Sequence, residues 1–176
     1  ALRQAEVSNS MKHYTNMPRV YVSVGSNIER EASIRSGVFA LRARFGHLTL
    51  SSVYESEAVG FEGDNFFNLV VGLDTDEPVE AVASALREIE DENGRERSGP
   101  RFSSRTLDLD MLLYDDLVCA DPQIPRFEIL ENAFVLWPLA EIAPETLHPQ
   151  EGVCFAELWA RFDKSIQQLW PVDFEW

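Results

Sequence analysis

Residues 106–114 read TLDLDMLLY, and their alternation decides how the rest of the chain must be arranged. Successive side chains on a strand point to opposite sides, so Leu107, Leu109 and Met111 share one face and Asp108 and Asp110 share the other. A strand that is apolar on one side and acidic on the other has to lie on a core while aiming its carboxylates elsewhere. The preceding stretch, RERSGPRFSSR at 95–105, places Arg95, Arg97, Arg101 and Arg105 within eleven positions around a Gly-Pro break, which reads as a loop.

The pattern extends upstream. In RVYVSVGSN (19–27), Val20, Val22 and Val24 alternate with Tyr21 and Ser23, a half-buried strand ending in a Gly-Ser-Asn turn, where Ser26 or Asn27 can cap a helix. Across IEREASIRSGVFALRARFG (28–46), Ile34, Val38, Leu41 and Phe45 recur at helical spacing and Gly46 supplies the stop. LTLSSVYES (48–56) and FFNLVVGLDT (66–75) read as two strands joined by the loop EAVGFEGDN (57–65). A second helix follows Pro78, with Val79, Val82, Leu86 and Ile89 in one stripe before Gly94. The order is therefore β-α-β-β-α-β, the ferredoxin-like α/β (α+β) arrangement, with an antiparallel sheet and helices on one face. Three C-terminal additions remain. NAFVLWPLAEIAP (132–144) reads as an edge strand and turn, VCFAELWARFD (153–163) as a short helix, and LWPVDFEW (169–176) as an aromatic tail that caps the core or makes a dimer contact.

Composition limits the partners. Thirty acidic against fifteen basic residues give a net charge of −15, which disfavours a general nucleic-acid or anionic-membrane binder, so an anionic ligand must meet a local basic site. With 45% hydrophobic residues the chain can form a core, and 17–176 reads as one domain after an N-terminal extension or expression remnant at 1–16. Cys119 and Cys154 suggest neither a disulfide framework nor a redox pair, and His13, His47 and His148 lack metal-ligand spacing. A cytoplasmic protein, monomer or homodimer, is expected.

Two carboxylates at i, i+2 on a strand lie about 6.6–6.8 Å apart along the backbone and can share metal ions. Left without a cation, the same pair is simply a solvent-facing acidic edge. Guanidinium groups suit phosphate through planar, permanently charged donors, and aspartates suit magnesium, so the two together point to a nucleoside triphosphate. The alternative for the arginines is a solvated loop paired with neighbouring glutamates. Neither G-x-x-x-x-G-K-[ST] nor G-x-G-x-x-G is present, so side chains would have to hold the phosphates.

GSN after the first strand, SSVYES leading to FFN, the arginine loop running into RTLDLDMLL, and FVLWPLAEIAPE together resemble the 6-hydroxymethyl-7,8-dihydropterin pyrophosphokinase family of folate biosynthesis. The resemblance implies pyrophosphate transfer from ATP to the pterin hydroxymethyl group, releasing AMP, with two Mg2+ ions. Carried onto this sequence, it makes Asp108 and Asp110 metal ligands, and Arg95 and Arg105 phosphate-binding catalytic groups. Arg97 and Arg101 would sit on a loop that closes over ATP, with Glu90 and Met111 near the nucleoside. The pterin would stack between Phe134 and Phe66, meet Asn68 at its ring edge, and be completed by backbone groups of Ser56 and Val59.

The resemblance departs at four positions. Arg126 stands where members commonly carry a phosphate-contacting His, followed by Phe127. Asn132 replaces an arginine, and Phe102 an adenine-covering Trp. These changes leave Arg126 as an ATP-binding residue and keep two other readings open. One is a relative that binds a pterin or nucleotide without this turnover, or that acts on another pterin-like substrate. The other is an unrelated ferredoxin-like interaction domain whose arginines and aspartates pair with one another.

Overall fold

A computed structural model describes residues 17–94 and 106–176. Its strands are β1 (Arg19–Ser26), β2 (Leu48–Leu50), β3 (Val53–Ser56), β4 (Phe66–Asp74), β5 (Asp108–Tyr114) and β6 (Leu169–Val172). The helices are α1 (Arg30–Phe45), α2 (Val79–Glu92), α3 (Glu128–Glu131), α4 (Ala133–Ile142) and α5 (Phe155–Arg161). The sheet runs β5-β1-β4-β3-β6, with β2 also on β4, and every pairing is antiparallel. Taking β2 and β3 as one interrupted strand, its central order is that of the ferredoxin-like fold expected from the sequence.

The two long helices behave as their apolar stripes require. Ile34, Val38 and Leu41 of α1 and Val82, Leu86 and Ile89 of α2 pack on Val20, Val22, Val24, Leu107, Leu109 and Met111. Gly37 lets α1 approach the entry to β5, since a Cβ there would lie 2.9 Å from Leu107 Cδ1. Gly46, at φ 83°, ends α1 in a conformation that glycine adopts without strain. The start of α1 differs from expectation. Neither Ser26 nor Asn27 caps it; Glu29 occupies the N-cap in the left-handed region, at φ 44°, without a side-chain cap.

Three further expectations need correction, and for the aromatic tail one of its two alternatives is met. LTLSSVYES is interrupted after Leu50, because buried Ser51 turns its Oγ inward to accept the N–H of Val70 at 2.9 Å and donate to the carbonyl of Ser52 at 2.8 Å. The 132–144 segment is helical rather than an edge strand. Its run is apolar nearly all round, so no period of two or 3.6 stood out, and α4 buries Ala133, Val135, Leu136, Pro138, Leu139 and Ala140. The aromatic tail contains β6, which pairs with β3 from Val53↔Val172 to Ser56↔Leu169 and sends Val172 and Phe174 against the core, so the tail caps its own molecule. Finally, helices cover both faces of the sheet. The second face packs Tyr21, Val70 and Leu112 against Ile129, Val135, Leu136, Leu139 and Phe155.

Helix α4 is fastened to β3 by polar as well as apolar contacts. Glu141 accepts the N–H and hydroxyl of Ser52 at 2.9 and 2.8 Å, and also the hydroxyl of buried Tyr54. Burial, reinforced by that hydrogen bond and the Glu141 charge, pushes the Tyr54 hydroxyl well above the usual tyrosine range. Tyr54, Trp137 and Trp159 continue as ring contacts at 4.7 and 5.1 Å, linking β3, α4 and α5.

The turn before α5 carries a titrating group. His148 is 2% exposed, and its Nδ1 accepts the N–H groups of Gln150 and Glu151 at 3.2 and 3.1 Å, a geometry that requires the neutral ring. Burial lowers its pKa below the ordinary value, against a smaller opposing effect of the Glu151 charge. Above pH about 6.5 neither the folded nor the unfolded chain holds the extra proton; below it the unfolded chain takes one up first, so acid favours unfolding. Urea unfolding should therefore give a stability that declines as pH drops from about 6.5 to 5.5, and His148→Asn, which keeps an acceptor, should flatten that decline.

Candidate active site

The second sheet face is only partly covered. Helices α4 and α5 lie over one end of it, and the other end forms the floor of a cavity of about 440 Å³. Strand register places the floor residues. Gly25 of β1 pairs with Asn68 of β4 on one side and with Asp108 of β5 on the other, while Ser23 faces Asp110. Residues paired in register share a face, so an amide and two carboxylates are brought together across one glycine. Space is limited there: a Cβ on Gly25 would lie 3.0 Å from Asn68 Oδ1.

At the Asn68 end the cavity is amide-lined and aromatic. Asn68 is 7% exposed and donates from Nδ2 to the buried Ser56 Oγ at 2.8 Å, which fixes the orientation of its amide. Phe66 lines the wall beside Asn68, with Phe61 edge-on to it at 6.2 Å. Phe134, in the first turn of α4, lines the cavity as well, and Val59 adds a half-exposed apolar wall. Pro138 has no N–H to offer the carbonyl of Phe134 one turn earlier.

The lining as a whole is electrostatically unbalanced. Among the described lining residues, Glu57, Asp108, Asp110, Glu128 and Glu131 face one cation, Arg126. The loop carrying Arg126 runs along the free edge of β5, with its N–H bonded to the carbonyl of Leu112 at 3.1 Å. From there the guanidinium bonds both carboxylate oxygens of Glu128, at 3.1 and 2.8 Å, and lies 3.6 Å from Asp110 Oδ1. Burial works against its charge, but Asp110, Glu128 and Asp108 outweigh that and hold its pKa above the ordinary arginine value. Among the described residues no group of three or more His, Cys, Asp or Glu side chains is arranged to hold a metal ion.

The cavity thus gathers Asp108, Asp110, Arg126, Ser56, Val59, Phe66, Asn68 and Phe134 of the residues singled out in the sequence. Arg95, Arg97, Arg101, Arg105 and Phe102 lie outside the described residues. Glu90 and Met111 are not brought to it. Met111 follows the Leu107 and Leu109 face into the core, and Glu90 is 4% exposed, its Oε2 accepting the N–H of Leu109 at 3.0 Å. Phe127 lines the cavity, and so does Asn132, whose Oδ1 accepts Gln167 Nε2 at 2.9 Å while Gln167 Oε1 takes the N–H of Ala133. Sequence reasoning missed Ser23, Glu57, Phe61, Glu128 and Glu131 as lining residues. Ser23 was within reach through its alternation with Val22 and Val24; the others sit in loops or a single turn, where no period points to a face.

An antiparallel α/β sheet with a half-open face carries, on that face, a small-molecule-sized cavity with carboxylates at one end and an amide with aromatic rings at the other. The family model for 7,8-dihydro-6-hydroxymethylpterin-pyrophosphokinase matches residues 21–144. This chain belongs to that family. Among curated proteins, the 2-amino-4-hydroxy-6-hydroxymethyldihydropteridine pyrophosphokinase of Pseudomonas aeruginosa is 36% identical over 151 residues, covering 81% of this chain and 90% of the relative. The Porphyromonas gingivalis protein of the same name is 34% identical over 142 residues, covering 76% and 96%. Among solved structures, an HPPK-DHPS in complex with substrates superposes with a TM-score of 0.66 at 12% identity over 85% of this chain, and the wild-type Plasmodium falciparum HPPK-DHPS with a TM-score of 0.63 at 13% over 82%. At that identity the likeness speaks for the fold alone, and the chain spans only 44% and 43% of those longer proteins.

Proposed function

We propose that this chain transfers pyrophosphate from ATP to the hydroxymethyl oxygen of 6-hydroxymethyl-7,8-dihydropterin, a step of folate biosynthesis. Release of AMP fixes the bond changes: the hydroxymethyl oxygen attacks the β-phosphorus, the bond from that phosphorus to the αβ-bridging oxygen breaks, and the hydroxyl proton is lost. The observation that supports the reading is the row Asp108–Gly25–Asn68, which sets a carboxylate and an amide side by side on one floor, the first proposed for the phosphate side and the second for the pterin. Neighbouring strands are about 4.8 Å apart, so the row spans roughly 10 Å, about the reach from a fused ring to a β-phosphate.

Each end suits its ligand. Asn68, oriented by Ser56, offers its remaining amide capacity to the donor and acceptor edge of a pterin, and Phe66 and Phe134 offer ring faces to its plane. Asp108 and Asp110 present only oxygen donors, the chemistry of a hard cation, and Mg2+ commonly takes one or two carboxylates and completes its shell with substrate phosphate and water. The acidic lining would repel ATP unless cations intervened, so these two carboxylates would hold Mg2+, two ions in our reading, which would neutralise phosphate charge and activate the hydroxymethyl oxygen. Arg126, beside Asp110, and the arginines at 95, 97, 101 and 105 would supply the remaining positive charge.

Arg105 precedes the aspartates most closely. Arg105→Ala should lower kcat by about 100-fold with pterin affinity little changed, by comparison with the loss of other single charge-stabilising donors; steady-state kinetics with both substrates checks this. Calorimetry tests the reading itself. With a non-hydrolysable ATP analogue present, 6-hydroxymethylpterin should bind when Mg2+ is supplied and bind much more weakly when the metal is chelated. Failure to bind under either condition would remove the pterin from the proposal.

A further inference from the structure

The 57–65 loop contributes Glu57, Val59 and Phe61 to the cavity wall yet contains no helix or strand of its own. A wall of that kind holds its shape only if its two ends are fixed. Arg30, the first residue of α1, reaches both of them. Its Nη2 lies 2.8 Å from Glu55 Oε1 on β3, just before the loop, and its Nη1 donates to the carbonyl of Asn65 at 3.1 Å, just after it. The guanidinium also stacks over the ring of Phe67, 3.8 Å from the centroid. Asn27, 4% exposed, adds a bond from Nδ2 to the carbonyl of Asp64 at 3.1 Å.

None of these anchor atoms needs to touch a ligand. Glu55 and Phe67 are register partners that point to the α1 side of the sheet, whereas Ser56, Phe66 and Asn68 point into the cavity. Arg30 therefore grips the loop from behind the sheet. The left-handed conformation of Glu29 aims it there, and Ser33 steadies that turn by donating its N–H to the Glu29 carbonyl and its hydroxyl to that of Ile28, both at 2.9 Å. A planar fork suits this place, since one group must meet a carboxylate, a carbonyl and a ring face together; a lysine ammonium would not satisfy all three.

We infer that Arg30 is a positioning residue that clamps the 57–65 loop and thereby sets the affinity of the aromatic end of the cavity for its planar ligand, an inference that rests on the pterin reading above. The test compares the unaltered chain with Arg30→Met, which keeps the stem, and Arg30→Lys, which keeps the charge. Three quantities are measured: calorimetric affinity for 6-hydroxymethylpterin with the ATP analogue present, affinity for the analogue alone, and amide hydrogen exchange. Arg30→Met should weaken pterin binding about tenfold, leave nucleotide affinity within about twofold, and speed exchange at 57–65 without a matching change in β1 or β5; Arg30→Lys should fall between. Unchanged pterin affinity in Arg30→Met would overturn the inference. So would parallel loss of both ligands with faster exchange throughout, which would mean a general stabilising role. If the unaltered chain bound no pterin, the functional reading and the affinity claim would fall together, and exchange would still decide whether Arg30 holds the loop.

Discussion

Asp110→Ala should abolish pterin-dependent AMP formation, a loss of about 1000-fold or more, in a protein that still folds. The fold is expected to survive because Asp110 sits at the cavity rather than in the core, and its neighbour Arg126 keeps both hydrogen bonds to Glu128. The chemistry is expected to fail because one remaining carboxylate, Asp108, cannot supply the acceptor oxygens that the proposed pair of cations needs. Loss of the carboxylate also shifts the balance of charge around Arg126, whose raised pKa depends in part on Asp110. Circular dichroism and thermal melting establish folding, and AMP release under saturating substrates gives the rate. A folded variant retaining a tenth of the activity would refute the metal-binding role.

Phe155→Ala should cost about 3–5 kcal/mol of stability, the usual penalty for emptying a large aromatic site in a closed core. Phe155 is fully buried among Leu136, Leu139, Ile129 and Leu113, with His148 edge-on at 6.2 Å. This cluster seats α4 on the sheet, and α4 carries Phe134 into the cavity. For a chain of this length the cost corresponds to a fall in Tm of roughly 6–20 °C. Ligand binding at the aromatic end should weaken as the helix loosens, whereas the Gly25–Asp108 pair lies at the opposite end of the β1–β5 ladder from Tyr21 and Leu113, which join this cluster. A change in Tm below about 2 °C would mean that the second core contributes little to holding the sheet covered.

Elements with one clear apolar face were legible in the sequence. The alternation of Val20, Val22 and Val24, the stripe of Val82, Leu86 and Ile89, and the split of Leu107, Leu109 and Met111 from Asp108 and Asp110 all match the observed burial. That is enough to order the central strands and to send both aspartates to one face. Segments whose partners lie on two sides were not legible. Helix α4 is packed over most of its surface, so Phe134–Leu139 carries no polar marker of an exposed face. Strand β6 is four residues long with Pro171 in it, a composition that argues against a strand except at an edge, where it lies.

The site divides in the same way. Asp108, Asp110 and Asn68 follow from strand periodicity once the strands are placed, and Gly25 and Ser23 follow from register. Arg126 and Glu128 are two residues apart in a loop and single turn, so their mutual grip depends on a path along the β5 edge that no local pattern encodes. Arg30 is harder still. It reads as one more solvated charge on α1, and only the packing of that helix behind β1 and β4, which brings Arg30 to Glu55 and Asn65, reveals what it holds. Glu90 shows a related case: on its helix it reads as a solvated charge, yet it is buried and accepts the N–H of Leu109.

The most direct test is AMP production from ATP and Mg2+, measured with and without 6-hydroxymethyl-7,8-dihydropterin. AMP is expected only when the pterin is present, in a one-to-one ratio with a pyrophosphorylated pterin. Pterin binding without AMP, or AMP formed at the same rate without pterin, would contradict it.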